Sequence, residues 1–347
     1  MSENPRWKRR PPGSTWGDFG ADDELGRLNL ITPKKVLQGI AEVKEGRSFC
    51  LSLPLDYPGG NKLNPRRHPP ELRPTIRGGL PNFNYPIGRE DPKHTDIVSD
   101  DVVVLTLQYS TQWDSLSHVG QMFDVDGDGK PEMVYYNGYR ANEHVMGPMD
   151  HSTGKEFSGH RGALKLGIEN MAAKAIQGRA VMIDLEAHYG RARKLVGYED
   201  LMDVLKKDKV EVEEGDMVCL RTGFAQLILD MKKDPDEKVL HGACAALDGR
   251  DERLLNWITK SGLSALIADN YAVEAFPSRP CEADHCAALP LHEHCLFKLG
   301  VNLGEIWYLS ELADYLRAKK RYRFLLTAPP LRLPGAVGSP ATPVGTV

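Results

Sequence analysis

The chain has 347 residues, with 44 Lys and Arg against 48 Asp and Glu, for a formal net charge of −4. Apolar residues make up 41%, enough for a large packed core and too many for a disordered chain. The mild acidity excludes a general electrostatic pull toward nucleic acid or an anionic membrane. No run of roughly 18 apolar residues offers a membrane span.

Residues 1–15 are polar, basic and Pro-rich. They read as a mobile N-terminal arm without the apolar run of a secretion signal, so a cytoplasmic protein is expected. TPKKVLQGIAEVKEG follows, with Val36, Leu37, Ile40 and Val43 at helical spacing. Thr32 is placed as N-cap and Pro33 at the first helical position. The stretch 48–55 alternates like a strand. From 56 to 96 the chain is rich in Pro, Gly, Asn and Arg and has no sustained period, and a loop of that length points to function. Arg67, Arg73 and Arg77 lie in it and can grip a carboxylate bidentately, or simply face solvent.

DDVVVLTLQYS then reads as a buried strand. Apolar runs at 180–185, 217–220, 265–268 and 324–327 predict further strands. Helical patterns fall among them, at about 197–208, 224–232, 251–261, 291–299 and 309–320. This alternation predicts an α/β protein. Residues 329–347 are rich in Pro, Gly and Ala and read as an extended tail. No linker divides the remainder, so 16–328 is expected to be a single catalytic domain with long loop insertions.

Two segments carry the chemistry. In TQWDSLSH, residues 111–118, Gln112, Asp114 and His118 converge on one face if the chain stays extended. In LHEHCLFKLGVNLGE, residues 291–305, His292 and His294 point to different faces of a helix, and Glu305 lies beyond a turn at Gly300. One of these histidines and the glutamate can reach a common metal. The Cys/His tract from Cys281 through His285 and Cys286 to Cys295 lacks the second ligand pair of a structural zinc site. DVDGDGKPE, 124–132, places Asp124, Asp126, Asp128 and Gly129 as in the first half of a calcium loop, but Tyr135 stands where the bidentate Glu belongs. It reads as an Asp/Gly turn with weak cation affinity at most. Phosphate-cradling and serine-nucleophile motifs are absent.

These pieces together resemble the cyclase family, which includes kynurenine formamidases (arylformamidases) and isatin hydrolases. WGDFGADDELGRLNLITP, GRAVMIDLEAHYG, GDMVCLRTGF, ADNYAVEAFP and LHEHCLFKLGVNLGE look like family landmarks in the family's order. The family signature H-x-G-T-H-x-D-x-P-x-H falls on QYSTQWDSLSH, residues 108–118. Asp114 and His118 match it. Gln108 and Gln112 stand where the first two histidines belong, and Leu116 replaces the proline.

The resemblance implies a swivelling β/β/α-type fold with a mixed β-barrel-like core and surrounding helices. It also implies a homodimer or homotetramer whose N-terminal arm reaches a neighbour. The implied reaction is metal-dependent hydrolysis of an amide or lactone carbonyl in a small cyclic or aromatic substrate. His118 would be general acid/base, and His292 (or His294) and Glu305 downstream metal ligands. Glutamine binds a metal only through its neutral carbonyl, a weaker donor than imidazole. One divalent metal ion, manganese or zinc, is therefore expected on Asp114, His292 and Glu305, with Gln112 as an available fourth ligand. Trp113 reads either as an apolar wall for substrate or as core, and Gln108 as a substrate contact. The partner expected is a small molecule, not nucleic acid or membrane. The two glutamines also admit a non-hydrolytic binding protein, or a cyclase or dehydratase using the same acid/base pair.

Overall fold

The four strongest apolar segments stand together in one nine-stranded sheet, in a computed structural model that describes residues 6–159 and 161–347. In chain order the strands are β1 (Ser48–Cys50), β2 (Gln112–Asp114), β3 (Gln177–Asp184), β4 (Met217–Arg221), β5 (Ala265–Ala268), β6 (Asn302–Glu305), β7 (Arg323–Thr327), β8 (Gly338–Pro340) and β9 (Val344–Thr346). Their spatial order is 1-9-7-3-4-5-6-2-8. Strands β3 to β6 are mutually parallel, and the remaining neighbours are antiparallel. The sheet curls into a half-barrel with helices around it, the mixed α/β core that the resemblance implies.

Parallel neighbours need crossover connections. The helices Tyr198–Asp208 and Glu252–Ser261 lie in the links from β3 to β4 and from β4 to β5. Asp251 caps the second by accepting from the Arg253 and Leu254 amides. The central strands are covered on both faces, which is why they read as continuous apolar runs. Val181, Ile183, Val218, Leu220 and Leu266 pack in one cluster. Ala180, Met182, Met217, Cys219 and Ile267 alternate with them and pack in another. No helix among the described residues is long and apolar enough to cross a membrane.

Several expectations change in three dimensions. The helix Pro33–Ala41 forms, with Thr32 accepting from the Lys35 amide, but Leu37 and Ile40 face solvent. Its buried face is Lys35 and Gly39. The Lys35 ammonium reaches Asp216 at 3.0 Å, and a Cβ on Gly39 would lie 2.8 Å from the Arg179 backbone. Close backbone approach, not apolar spacing, selects that face. DDVVVLTLQYS is not a buried strand. Only Asp101–Val104 is extended, paired with Glu71–Pro74, and every position of both is exposed. The stretch 48–55 contributes only Ser48–Cys50.

Residues 329–347 are not a free tail, since they supply β8 and β9, and Val347 is buried. Strand β8 is an edge strand, where Pro340 is tolerated. Of the expected arm, residues 1–5 lie outside the described residues, and 6–15 are held by their own chain. The Lys8 and Arg9 amides donate to the Val125 carbonyl, and Thr15 donates to the Leu299 carbonyl. The acidic loop is held by arginines. Arg9 pairs with Asp124, and Arg140 with Asp126 and Glu132. Cys281 and Cys286 form a disulfide.

Candidate metal centre

The site is built where β2 meets β6. Their antiparallel register sets Gln112 opposite Glu305 and Asp114 opposite Leu303. Because side chains alternate along a strand, Gln112, Asp114 and Glu305 share one face and Trp113 takes the other. Trp113 is accordingly core and not a substrate wall. It is fully buried, its indole N–H donates to the Ala328 carbonyl at 2.8 Å, and its ring meets the Trp307 ring edge-on at 4.9 Å. The strand is held from the side: Trp307 Nε1 donates to the Gln112 carbonyl and Asn302 Nδ2 to the Asp114 carbonyl.

His292 arrives from the short helix Pro290–His292, which runs into a wider π turn, Glu293–Leu299. Such turns recur at functional sites. Here the turn separates the two histidines. His294 points away and sits 2.9 Å from Thr259 Oγ1, and burial pushes its pKa down to about 4. His292 faces the carboxylates, with Nε2 3.2 Å from Glu305 Oε1.

On its other side the His292 ring donates from Nδ1 to Glu274 Oε1 at 2.7 Å. Glu274 also accepts from the backbone amides of Leu291 and His292, each at 3.0 Å. This carboxylate fixes the ring so that Nε2 is directed into the site, an arrangement common behind metal-ligating histidines. Gly249 makes room for it, since a Cβ there would lie 2.2 Å from Glu274 Oε2. Glu274 had no assigned role in the sequence. The signal was a lone carboxylate within the apolar stretch YAVEAF, a placement that requires buried partners.

One ligand atom each from Asp114, His292 and Glu305 lies within 4.8 Å of the others, and all three residues are buried. Two oxygens here have no hydrogen-bond partner, Asp114 Oδ2 and Gln112 Oε1. Burying a bare carboxylate oxygen is costly, so a buried Asp/His/Glu set with an orphaned oxygen fits a divalent cation. Gln112 is not placed as a fourth ligand. Its amide nitrogen faces Asp114 Oδ1 at 3.3 Å and Glu305 Oε2 at 3.0 Å, tying the two carboxylates together.

Burial works against the charged His292, but the hydrogen bonds to Glu274 and Glu305 outweigh it and hold its pKa up to about 10. Burial likewise opposes ionised Glu305, but the His292 bond wins and lowers its pKa. For Asp114 burial dominates and raises the pKa, against the pull of His118.

His118 is partly exposed, with 22% of its side chain accessible and Nε2 3.9 Å from Asp114 Oδ1. Gln108 lies beside the site. Its amide fills the space over Gly338, which sits opposite Asp114 in the sheet. Arg67 donates to the Gln108 carbonyl at 2.6 Å, whereas Arg73 and Arg77 are clamped by Glu71 and Glu90 in the exposed loop.

The Cyclase family model matches residues 51–275, more than half of the chain. The chain belongs to the cyclase family. A crystal structure described as a novel cyclase is similar at 30% identity and a TM-score of 0.72, covering 98% of this chain and 100% of that one. Isatin hydrolase A from Labrenzia aggregata, bound to benzyl benzoate, shares the fold at 13% identity and a TM-score of 0.53, covering 90% of this cyclase-family chain and 97% of its own. Isatin hydrolase A from Ralstonia solanacearum gives the same values. No curated protein matches the sequence.

Proposed function

We propose that the protein is a hydrolase that opens an amide or lactone carbonyl of a small aromatic or cyclic substrate, using one divalent cation held by Asp114, His292 and Glu305. The observation that carries this reading is their convergence around the unpartnered Asp114 oxygen. When bound, zinc or manganese would polarise the scissile carbonyl and make water a better nucleophile. The side chains do the rest. His118 Nε2 takes the proton of the attacking water and returns it to the leaving nitrogen or oxygen, and its partial exposure gives it access to both. Glu274 keeps the His292 Nδ1 proton in place, so that Nε2 is free to ligate. Gln112 holds both carboxylates without adding charge to the centre.

The test is elemental analysis of purified protein together with turnover of N-formyl anilides, isatin and aromatic lactones. Stoichiometric metal is expected in the wild type and in His118→Ala, and none in Asp114→Ala. Activity is expected to fall in both variants. Metal-free wild-type protein, unable to take up zinc or manganese, would sink the proposal.

A second reading has one observation in its favour. The Gln112 amide already bridges Asp114 and Glu305, and His292 already bonds Glu274 and Glu305. A cluster closed in this way would suit a non-hydrolytic binding protein or a metal-free cyclase or dehydratase. Metal content separates it from the first.

A further inference from the structure

Arg67 differs from Arg73 and Arg77 in making no hydrogen bond to a carboxylate among the described residues. Glu71 binds Arg73 through both carboxylate oxygens, and Glu90 does the same for Arg77. Arg67 makes a hydrogen bond to the Gln108 carbonyl and lies 5.8 Å from the centre of the Tyr271 ring. A guanidinium has five N–H donors, so most of the donor set of this half-buried cation is open.

Those donors border a small cleft lined by Pro58, Leu63, Asn64, Tyr109 and Tyr271. Its walls are fixed. Asn64 donates to the Tyr271 hydroxyl at 3.1 Å, the Gly59 amide donates to the Tyr109 hydroxyl, and Tyr109 donates to the Gly60 carbonyl. The cleft also adjoins the metal centre. Gln108 flanks Asp114 through Gly338. Tyr271 follows Asn270, whose carbonyl accepts from the Ile306 amide, next to Glu305.

We infer that Arg67, with the Tyr109 and Tyr271 cleft, is a carboxylate-binding subsite, so that the substrate is an aromatic acyl compound bearing its own carboxylate. A planar guanidinium fork suits a carboxylate, and the phenol rings wall in the anion. The cleft, about 10 Å³ in volume, takes no more than the tip of the anion, which leaves the aromatic body and the scissile carbonyl outside it, toward Asp114 and His118. The turnover part of this inference rests on the hydrolase reading. The binding part does not.

Two measurements test it on the purified, metal-supplied protein. Calorimetric titration compares benzoate with benzamide on wild type, Arg67→Met and Arg67→Gln. A charge-assisted pair predicts that the benzoate-to-benzamide affinity ratio falls about 10- to 100-fold in each variant. Turnover compares N-formylanthranilate with formanilide, and the ratio of their kcat/KM values is expected to fall by a similar factor. If neither is turned over but the affinity ratio falls, the hydrolase reading fails and the carboxylate subsite stands. If wild type binds benzoate no better than benzamide, or the variants keep the wild-type ratio, the subsite is wrong whatever the turnover. Melting curves confirm that the variants are folded, and either variant that melts like wild type is sufficient.

Discussion

Two antiparallel strand pairs in this protein invert the usual relation between polarity and burial. Gln112–Asp114 with Asn302–Glu305 is polar at most positions and buried at all of them. Asp101–Val104 with Glu71–Pro74 carries Val102, Val103, Val104 and Leu72, and is exposed at all of them. The first pair lies inside a nine-stranded sheet with helices over it. The second is a separate two-stranded ribbon, left uncovered among the described residues. Hydropathy describes what a segment prefers, and its place in the fold decides what it receives. A buried polar pair must have its groups answered by partners, and Asp114 Oδ2 and Gln112 Oε1 are the two at the site left without one among the described residues.

The largest expected effect is on activity, at the polar pair. His118→Ala should lower kcat by roughly 10²–10⁴ while metal content, measured by elemental analysis, stays at the wild-type level. Next comes Glu274→Ala. It leaves the His292 ring and the Leu291 and His292 amides without their acceptor. Breaking a buried charged pair costs about 3–5 kcal/mol, to be read from urea unfolding of metal-free protein. A loss below about 1 kcal/mol would mean that the buried pair is no more tightly specified than a surface one.

A pH effect of intermediate size is expected from His294. Burial holds its pKa down to about 4, below the ordinary value of 6.5. A depressed histidine favours the neutral ring in the fold. Its contribution to stability is therefore complete above pH 6.5 and is lost as pH falls toward 4. Asp269, pushed by burial up to about 6, acts in the opposite sense, because its protonation on acidification favours the fold. The difference between wild type and His294→Asn isolates the histidine, and the variant's melting temperature should fall less between pH 6.5 and 4. The smallest effect belongs to the ribbon. Val103→Thr should change the unfolding free energy by no more than about 0.5 kcal/mol. A change above 2 kcal/mol would show the ribbon to be packed in solution and would break the contrast with the site.

Much of the site was legible because its chemistry is local. Gln112 and Asp114 lie on one short strand whose alternation selects a face and sends Trp113 into the core, whereas the chain does not stay extended to His118, which comes after a turn closed by its amide on the Ser115 carbonyl. Glu305 and a nearby histidine were legible as a pair, but the choice between His292 and His294 depended on a π turn that no residue pattern announces. Glu274 was not legible as a partner, because its contact to His292 spans 18 residues and rests on the room left by Gly249. The helix at Pro33–Ala41 shows the same limit. Its ends follow from Thr32 and Pro33, whereas its buried face was set by Asp216 and the backbone of β3.

By itself the sequence determined the α/β class, the four central strands with their crossover helices, and the residue types at the centre. Those features depend on local periodicity, capping and composition, which a chain carries wherever it folds. Tertiary structure alone decided that residues 338–346 complete the sheet, that Val102–Val104 stay outside it, and that Glu274 and Arg67 stand beside the centre. Each of these depends on contacts between segments far apart in the chain, which no local pattern encodes.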